Sequence, residues 1–221
     1  MEVVVNAATS VDGKLSTRDR MQVEISGPED FDRVDRLRAA ADGVMVGVGT
    51  VLADDPHLTV DEEPRRVSRL RNGRPANPAR VVADSRARTP PDARVLDAAA
   101  TTYVLVSDAA PEERTAALDD AGAEIVAAGD ARVDLPKALS ELDSRGVDRL
   151  MVEGGGELIF SLFAAELVDE LSVFVGSVVV GGRDAPTLAD GEGFTDPDEF
   201  PRPTLASVER LDDGVLLSYS V

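Results

Sequence analysis

Cysteine is absent from the 221 residues, and histidine occurs once, at His57. Without cysteine the chain can build no disulfide, thiolate metal site or cysteine nucleophile. One imidazole leaves little material for a zinc centre or a serine–histidine triad, so no metal is expected. Long apolar runs are missing too: no window approaches the roughly 18 uninterrupted apolar residues of a membrane span. The first residues, MEVVVNAATS, run directly into a strand-like pattern with no basic segment before a long apolar stretch, so no signal peptide is expected and the reading is cytoplasmic. Lysine is almost absent, at Lys14 and Lys137 only, while arginine carries nearly all the positive charge.

Acid is what the chain has in excess. Against 23 basic residues stand 42 acidic ones, a formal net charge of −19, which would repel nucleic acid and anionic membranes. The acids are spread along the chain rather than gathered in blocks, which favours a solvated surface over a face made for a cationic partner. Abundant Asp and Ala with few Lys give a halophilic, archaeal type of composition, in which salt screens the repulsion among carboxylates. Apolar content of 43% suffices for a sizeable core, and the length suits a single domain spanning 1–221.

Apolar β-rich runs at 3–8, 43–49, 79–85, 101–107, 123–128 and 149–154 are mostly continuous rather than alternating, as in strands covered on both faces. Helical patterns at 29–41, 111–121, 136–145 and 157–167 lie among them. In the first, Phe31, Val34, Leu37 and Ala41 recur at helical steps, and Ser26 and Glu29 form a capping-box pattern ahead of it. The alternation predicts an α/β fold with a mostly parallel central sheet. Asp213-Gly214, between two apolar runs, predicts a C-terminal antiparallel hairpin. Residues 61–78, rich in Pro, Asn and Arg, read as a long loop.

Four places carry residues suited to chemistry. In MVEGGGELIF (151–160) a strand passes through Gly154, Gly155 and Gly156 into a helix, which gathers unpaired backbone N–H groups around one point and lets an anion approach. A tight turn explains the same glycines equally well, and neither this segment nor GVGTVL (47–52) completes a dinucleotide fingerprint. After the first strand, NAATSVDGKLSTRD (6–19) sets out Asn6, Ser10, Asp12 and Lys14, against the simpler reading of a surface Asp-Gly turn. GTVLADDPHLTV (49–60) carries Thr50, Asp54 and Asp55, for which capping is nearly as good an account. Arg65, Arg66, Arg69, Arg71 and Arg74 suit an anion or merely a soluble loop.

Taken in order, SVDGKL, ISGPEDFDRVDRLRAAADGVMVGVGTVLADDPHLTV, NPARVVADSRARTP, MVEGGGELI, LVDELSVFV and VGGRDAPTLADGEGF closely resemble the riboflavin-pathway pyrimidine reductases, especially their stand-alone archaeal branch. The resemblance spans nearly the whole chain. It implies a dihydrofolate-reductase-like fold with helices on both faces of the sheet, a homodimer, and reduction of the opened ribose of a pyrimidine ribosylamino phosphate by NADPH or NADH. It assigns Thr50, Asp54, Ser85, Arg86, Ala87, Arg88, Val133, Gly154, Gly155, Gly156, Glu157 and Leu158 to the dinucleotide, and Arg38, Leu58, Glu153 and Lys14 to the substrate. Asn6, from its place on the first strand, joins the substrate group. Lys14 and Glu153, with Asp12 as a partner for Lys14, are the candidates for catalysis, their roles undivided. Where bacterial relatives place an arginine for the substrate phosphate this chain has Asp61, leaving Arg65, Arg66 or another part of the chain to serve. The histidine and cysteine ligands of the deaminase often fused to bacterial versions are not found, which favours the pathway order in which reduction comes first. A dihydrofolate reductase and a non-catalytic binding module for nucleotides or sugar phosphates stand as the alternatives.

Overall fold

The computed structural model describes residues 1–221, which divide into two compact units: Met1 with Asp35–Met151, and Glu2–Val34 with Val152–Val221. Nine strands hydrogen-bond in the order β5-β4-β3-β2-β6-β1-β7-β9-β8. Of these, β6 (Arg149–Gly154) is shared by the two units, as is helix α1 (Pro28–Ala40).

In the first unit, β2 (Gly43–Gly47), β3 (Ala79–Ala83), β4 (Thr102–Val106) and β5 (Glu124–Ala127) run parallel to one another in sequence order. Val44, Met45, Val81, Val82, Val104 and Leu105 are essentially sealed from solvent, in line with the continuous apolar runs. The fully enclosed side chain of Arg80 lies in this core. Its guanidinium donates to the carbonyls of His57 (2.8 Å), Val95 (2.9 Å) and Asp97 (3.0 Å) and to Asp97 Oδ1 (2.7 Å), so the buried charge is matched on every side. Helices α4 (Glu112–Asp120) and α5 (Leu135–Ser144) fall within about a residue of their predicted spans; Asp134 caps α5 by accepting from Lys137 N.

Two helices of this unit were not expected. The run 43–49 is strand only to Gly47; Val48 opens α2 (Val48–Asp54), whose Val48 and Val51 are buried. The supposed loop 61–78 contains α3 (Glu63–Arg71), with Pro64 in its first turn. Apolar periodicity could not reveal α3, because the residue it buries is an arginine: Arg69 donates to the carbonyls of Ala39 (2.8 Å), Ala41 (2.7 Å) and Pro75 (2.9 Å). Burial holds its pKa down to about 10, helped by the like charge of Arg74 and opposed by Asp42.

In the second unit β1 (Glu2–Ser10) pairs in parallel with β7 (Glu170–Gly176), and the hairpin of β8 (Thr204–Leu211) and β9 (Gly214–Ser220) adds antiparallel strands beside β7. Leu211 faces Gly214, so the turn residues are Asp212 and Asp213, one position earlier than expected. Asp212 also performs the capping assigned to Ser26 and Glu29. Its carboxylate accepts from Glu29 N (3.2 Å) and Asp30 N (3.0 Å) at the start of α1, where a carboxylate also complements the helix dipole. Phe31, predicted on the buried face of α1, is 58% exposed, whereas Ala41 just past its end is sealed. Helix α6 (Gly156–Ala164) follows β6 directly. The α/β class, the mostly parallel sheet and the C-terminal hairpin thus stand as predicted.

Candidate functional site

The strand-to-helix turn gives each glycine a different reason to be there. Gly154 has φ +129, a region closed to side-chain-bearing residues, and a Cβ built on it would meet nothing within 4 Å. The Gly154–Gly155 peptide is cis. Gly155 is the N-cap of α6, and its carbonyl accepts from Leu158 N (3.0 Å) and Ile159 N (3.1 Å). Gly156 is crowded: a Cβ there would run into the carbonyl oxygen of Thr187 and lie 2.7 Å from Asp190 Oδ2, while Asp190 N donates to the Gly156 carbonyl (3.1 Å). Gly154 therefore answers to backbone conformation and Gly156 to the close approach of the 187–190 segment. Of the first-turn N–H groups of α6, those of Gly156 and Glu157 have no acceptor within the helix, while that of Leu158 bonds to the Gly155 carbonyl. Glu157 is exposed in that turn, Leu158 is buried, and Glu153, half-buried one residue before the glycines, is engaged in polar interactions.

The turn after β1 is stapled to a distant segment of the same unit. Asp12 accepts from Ser10 Oγ (2.6 Å), Val180 N (3.0 Å) and Gly181 N (2.7 Å). Lys14 bridges Thr187 through the backbone, and its Nζ donates to the Ala185 carbonyl at 3.3 Å. SVDGKL and VGGRDAPT, matched separately in sequence, thus lie against each other. Asp12 is not the ion-pair partner of Lys14, as had been expected; its oxygens are occupied by the loop amides and Ser10. Those bonds, the Ser10 hydroxyl first and then the two backbone N–H groups, hold the Asp12 carboxyl at about 2, against an ordinary 3.8. Because the folded value is the lower one, the latch contributes fully above about pH 4 and is lost as pH falls through about 2. Hydrogen exchange at Val180 and Gly181 should accelerate as pH falls through this window, after correction for intrinsic rates. In Asp12→Ala it should already be fast at neutral pH.

In the first unit, Thr50 and Asp54 sit on α2, and Asp54 is engaged in polar interactions. Asp55 ends that helix in the left-handed conformation, and its carboxylate accepts from Arg94 N (2.7 Å). Leu58 is also left-handed (φ +52) and only 2% exposed, so its side chain belongs to the core. Arg38 donates to the Thr59 carbonyl (3.1 Å). Arg65 is paired with Asp35 (2.6 Å), and Arg66 donates to the carbonyls of Val60 (2.6 Å) and Asp61 (2.7 Å). Burial pushes the Asp35 carboxyl up, but Arg65 and the N–H groups of Asp61 and Glu62 outweigh it and hold it below the usual range. Most of the arginine group therefore clamps the 57–77 region, which solubility alone would not require.

Ser85 and Val133, 48 residues apart, meet directly: Ser85 Oγ accepts from Val133 N (3.0 Å). Ala87 turns the loop in the left-handed conformation. Beneath it Asp84 is sealed; Oδ2 accepts from Thr89 N (2.7 Å) and Thr89 Oγ1 (2.8 Å), and Oδ1 has only the ionic approach of Arg88 Nε at 3.5 Å, too long and poorly aligned for a hydrogen bond. Arg86 and Arg88 are exposed, and a cavity of about 460 Å³ beside Arg88 is walled by Pro90, Pro91 and, from α4, Arg114 and Ala117. Arg114 escaped sequence reading, since a lone arginine on a polar helix carries no signal. No cluster of three or more His, Asp or Glu is arranged to hold a metal ion, and no helix is long and apolar enough to cross a membrane.

A model of the RibD C-terminal domain matches residues 1–217. The chain belongs to the RibD C-terminal domain family. Within and around that family it is 48% identical, over 96% of its length and 94% of the relative's, to the 2,5-diamino-6-ribosylamino-4(3H)-pyrimidinone 5′-phosphate reductase of Archaeoglobus fulgidus. It is 46% identical to the protein of the same name from Methanothermobacter thermautotrophicus, over 99% of this chain and 97% of that one. Among solved structures, a pyrimidine reductase-like protein from Corynebacterium diphtheriae superposes with a TM-score of 0.84 at 20% identity, covering 99% of this chain and 91% of the other. At that identity the likeness speaks for fold, here the dihydrofolate-reductase-like α/β fold of RibD-type reductases.

Proposed function

We propose that this chain reduces 2,5-diamino-6-ribosylamino-4(3H)-pyrimidinone 5′-phosphate to the ribitylamino 5′-phosphate in riboflavin biosynthesis, using NADPH, with NADH the second choice. The observation that carries this reading is identity near one half, end to end, with two archaeal proteins of that name. Features of each unit, taken separately, suit a dinucleotide: in the second, Gly154 leaves open space where a side chain would stand and α6 offers first-turn N–H groups, and in the first, Arg86 and Arg88 are exposed cations on either side of buried Ala87. When bound, a nicotinamide cofactor would supply the hydride for C1′ of the opened, imine form of the ribosylamino group. The protein's part is alignment, exclusion of water and a proton for the imine nitrogen. Lys14, whose Nζ donates to the Ala185 carbonyl at a loop junction, and Glu153, at the end of β6, are the groups we assign to that proton and to orienting the pyrimidine, with Arg38 and Leu58 shaping the substrate region. Residues 1–221 act as one reductase domain, and the assembly is a homodimer.

The test is loss of absorbance at 340 nm when the purified protein meets NADPH and the ribosylamino pyrimidine phosphate in molar KCl, with dihydrofolate in parallel. Turnover of the pyrimidine alone is expected; turnover of dihydrofolate alone, or of neither, overturns the reading. The net charge of −19 further supports a halophilic, cytoplasmic, archaeal setting. The unfolding midpoint should climb with KCl into the molar range as carboxylate repulsion is screened, and a flat or falling profile would contradict that setting.

A further inference from the structure

Asn6 lies in the middle of β1, opposite Ser172 of β7, and is 6% exposed. Both side chains meet the guanidinium of Arg33, which reaches them from α1: Nη2 donates to Asn6 Oδ1 at 2.8 Å, and Nη1 to Ser172 Oγ at 3.1 Å. Arg33 is itself held by the sealed carboxylate of Asp30, through Nε at 2.8 Å and Nη2 at 2.7 Å. Asp30 is fixed in turn because its N–H donates to Asp212.

A guanidinium has donors and no acceptor. The atom that Asn6 turns toward Arg33 must therefore be its oxygen, and its Nδ2 must face the other way. The same logic leaves the Ser172 hydroxyl hydrogen to point elsewhere, since its oxygen already accepts. Arg33 thus occupies one acceptor site on each residue and turns a donor of each away from itself. No protein acceptor meets Asn6 Nδ2, and since Asp84 Oδ1 is the one fully enclosed side-chain polar atom without a partner, Nδ2 retains some accessibility from outside. A nine-tenths buried amide held in one orientation with its donor unmatched is poor economy for a core, where such groups are normally paired.

We propose that Arg33 is a positioning residue, locking Asn6 and Ser172 so that Asn6 Nδ2 and the Ser172 hydroxyl donate to acceptor atoms on the heterocycle of the substrate. The inference rests on the function proposed above and adds how the pyrimidinone is recognised: by a pair of donors whose polarity is set one residue further back.

The experiment compares wild type with Asn6→Asp, Arg33→Gln and Arg33→Lys, reading KM and kcat for the ribosylamino pyrimidine phosphate, Kd for NADPH, and the unfolding midpoint. Asn6→Asp keeps an acceptor for Arg33 and loses the donor. KM should rise about tenfold or more, the scale of one lost hydrogen bond to a group left unmatched, while Kd for NADPH holds. Arg33→Gln can present its own carbonyl to Asn6, allowing the amide to turn over, and should raise KM similarly. The double variant Asn6→Asp/Arg33→Gln should be little worse than either single one. Arg33→Lys, a donor only, should be impaired less than Arg33→Gln. If Asn6→Asp proves unfolded, Ser172→Ala decides through the same KM readout. A purely structural role predicts lowered midpoints with KM unmoved. Wild-type turnover with an unmoved KM in the folded variants overturns this inference alone, whereas no wild-type turnover removes the functional reading and this inference with it.

Discussion

Arg80→Met is expected to lower the unfolding midpoint by roughly 6–12 °C, from a loss of about 3 kcal/mol in a chain of this size. The side chain is fully enclosed, and four acceptors converge on it: the carbonyls of His57, Val95 and Asp97, and the Asp97 carboxylate. Methionine fills much of the volume and satisfies none of them. The Asp97 carboxylate is 42% exposed and can return to water, which limits its share of the loss. The enclosed carbonyl of Val95 cannot return to water but keeps the Thr102 hydroxyl as a donor, so the cost is shared with the carbonyls of His57 and Asp97. Arg80→Lys should recover only part, because one ammonium has three donors and no planar fork. A local consequence should follow as well. Arg80 grips the carbonyl of His57, next to the left-handed Leu58, so hydrogen exchange should rise across 57–60 and 94–97 before it rises elsewhere. A midpoint within 2 °C of wild type would show that the guanidinium is not needed for the core.

Gly156→Ala should be the most damaging single-carbon change in the chain for cofactor binding. The added methyl collides with the backbone carbonyl of Thr187 and presses on the Asp190 carboxylate, neither of which is the flexible end of a long side chain. Relief requires either the 187–190 segment or the first turn of α6 to shift, at about 1–3 kcal/mol. The same segment bridges Lys14 at Thr187, so the disturbance should reach the β1 turn. We expect Kd for NADPH to weaken about tenfold or more, as expected when a close main-chain approach is blocked. Gly154→Ala is an informative contrast. Space around it is open, so its cost should come from forcing alanine to φ +129, on the order of 1–3 kcal/mol. Calorimetric titration of both variants with NADPH would separate collision from conformational strain. Unchanged affinity in Gly156→Ala would detach the cofactor from this turn.

The strands of the first unit were legible because their burial is expressed in uninterrupted apolar residues, as in GVMVG and TYVLV. What escaped was burial expressed in charge. Helix α3 turns Arg69 inward, and β3 encloses Arg80, and a reader of hydropathy takes both for surface. Long-range capping was equally hidden: Ser26 and Glu29 match a local capping pattern, yet Asp212, more than 180 residues away, supplies the carboxylate. At the candidate site the glycine turn and Lys14 stood out through residue type and order, and the Ser85 loop only through the resemblance to the pyrimidine reductases. The orientation of Asn6 did not, because it depends on a guanidinium arriving from α1. Nor did the fate of Asp12, whose lone pairs are taken by Val180 and Gly181.

Hydride transfer to C1′ of a ribosylamino pyrimidine phosphate is tested most directly by isotope. The protein is incubated with the substrate and NADPH carrying deuterium at the transferable position of the nicotinamide, each stereoisomer in turn, and the product is analysed by NMR. One stereoisomer should place a single deuterium on C1′ of a ribityl chain and the other should place none. Deuterium in the pyrimidine ring, or a ribityl product free of label from both stereoisomers, would contradict the account.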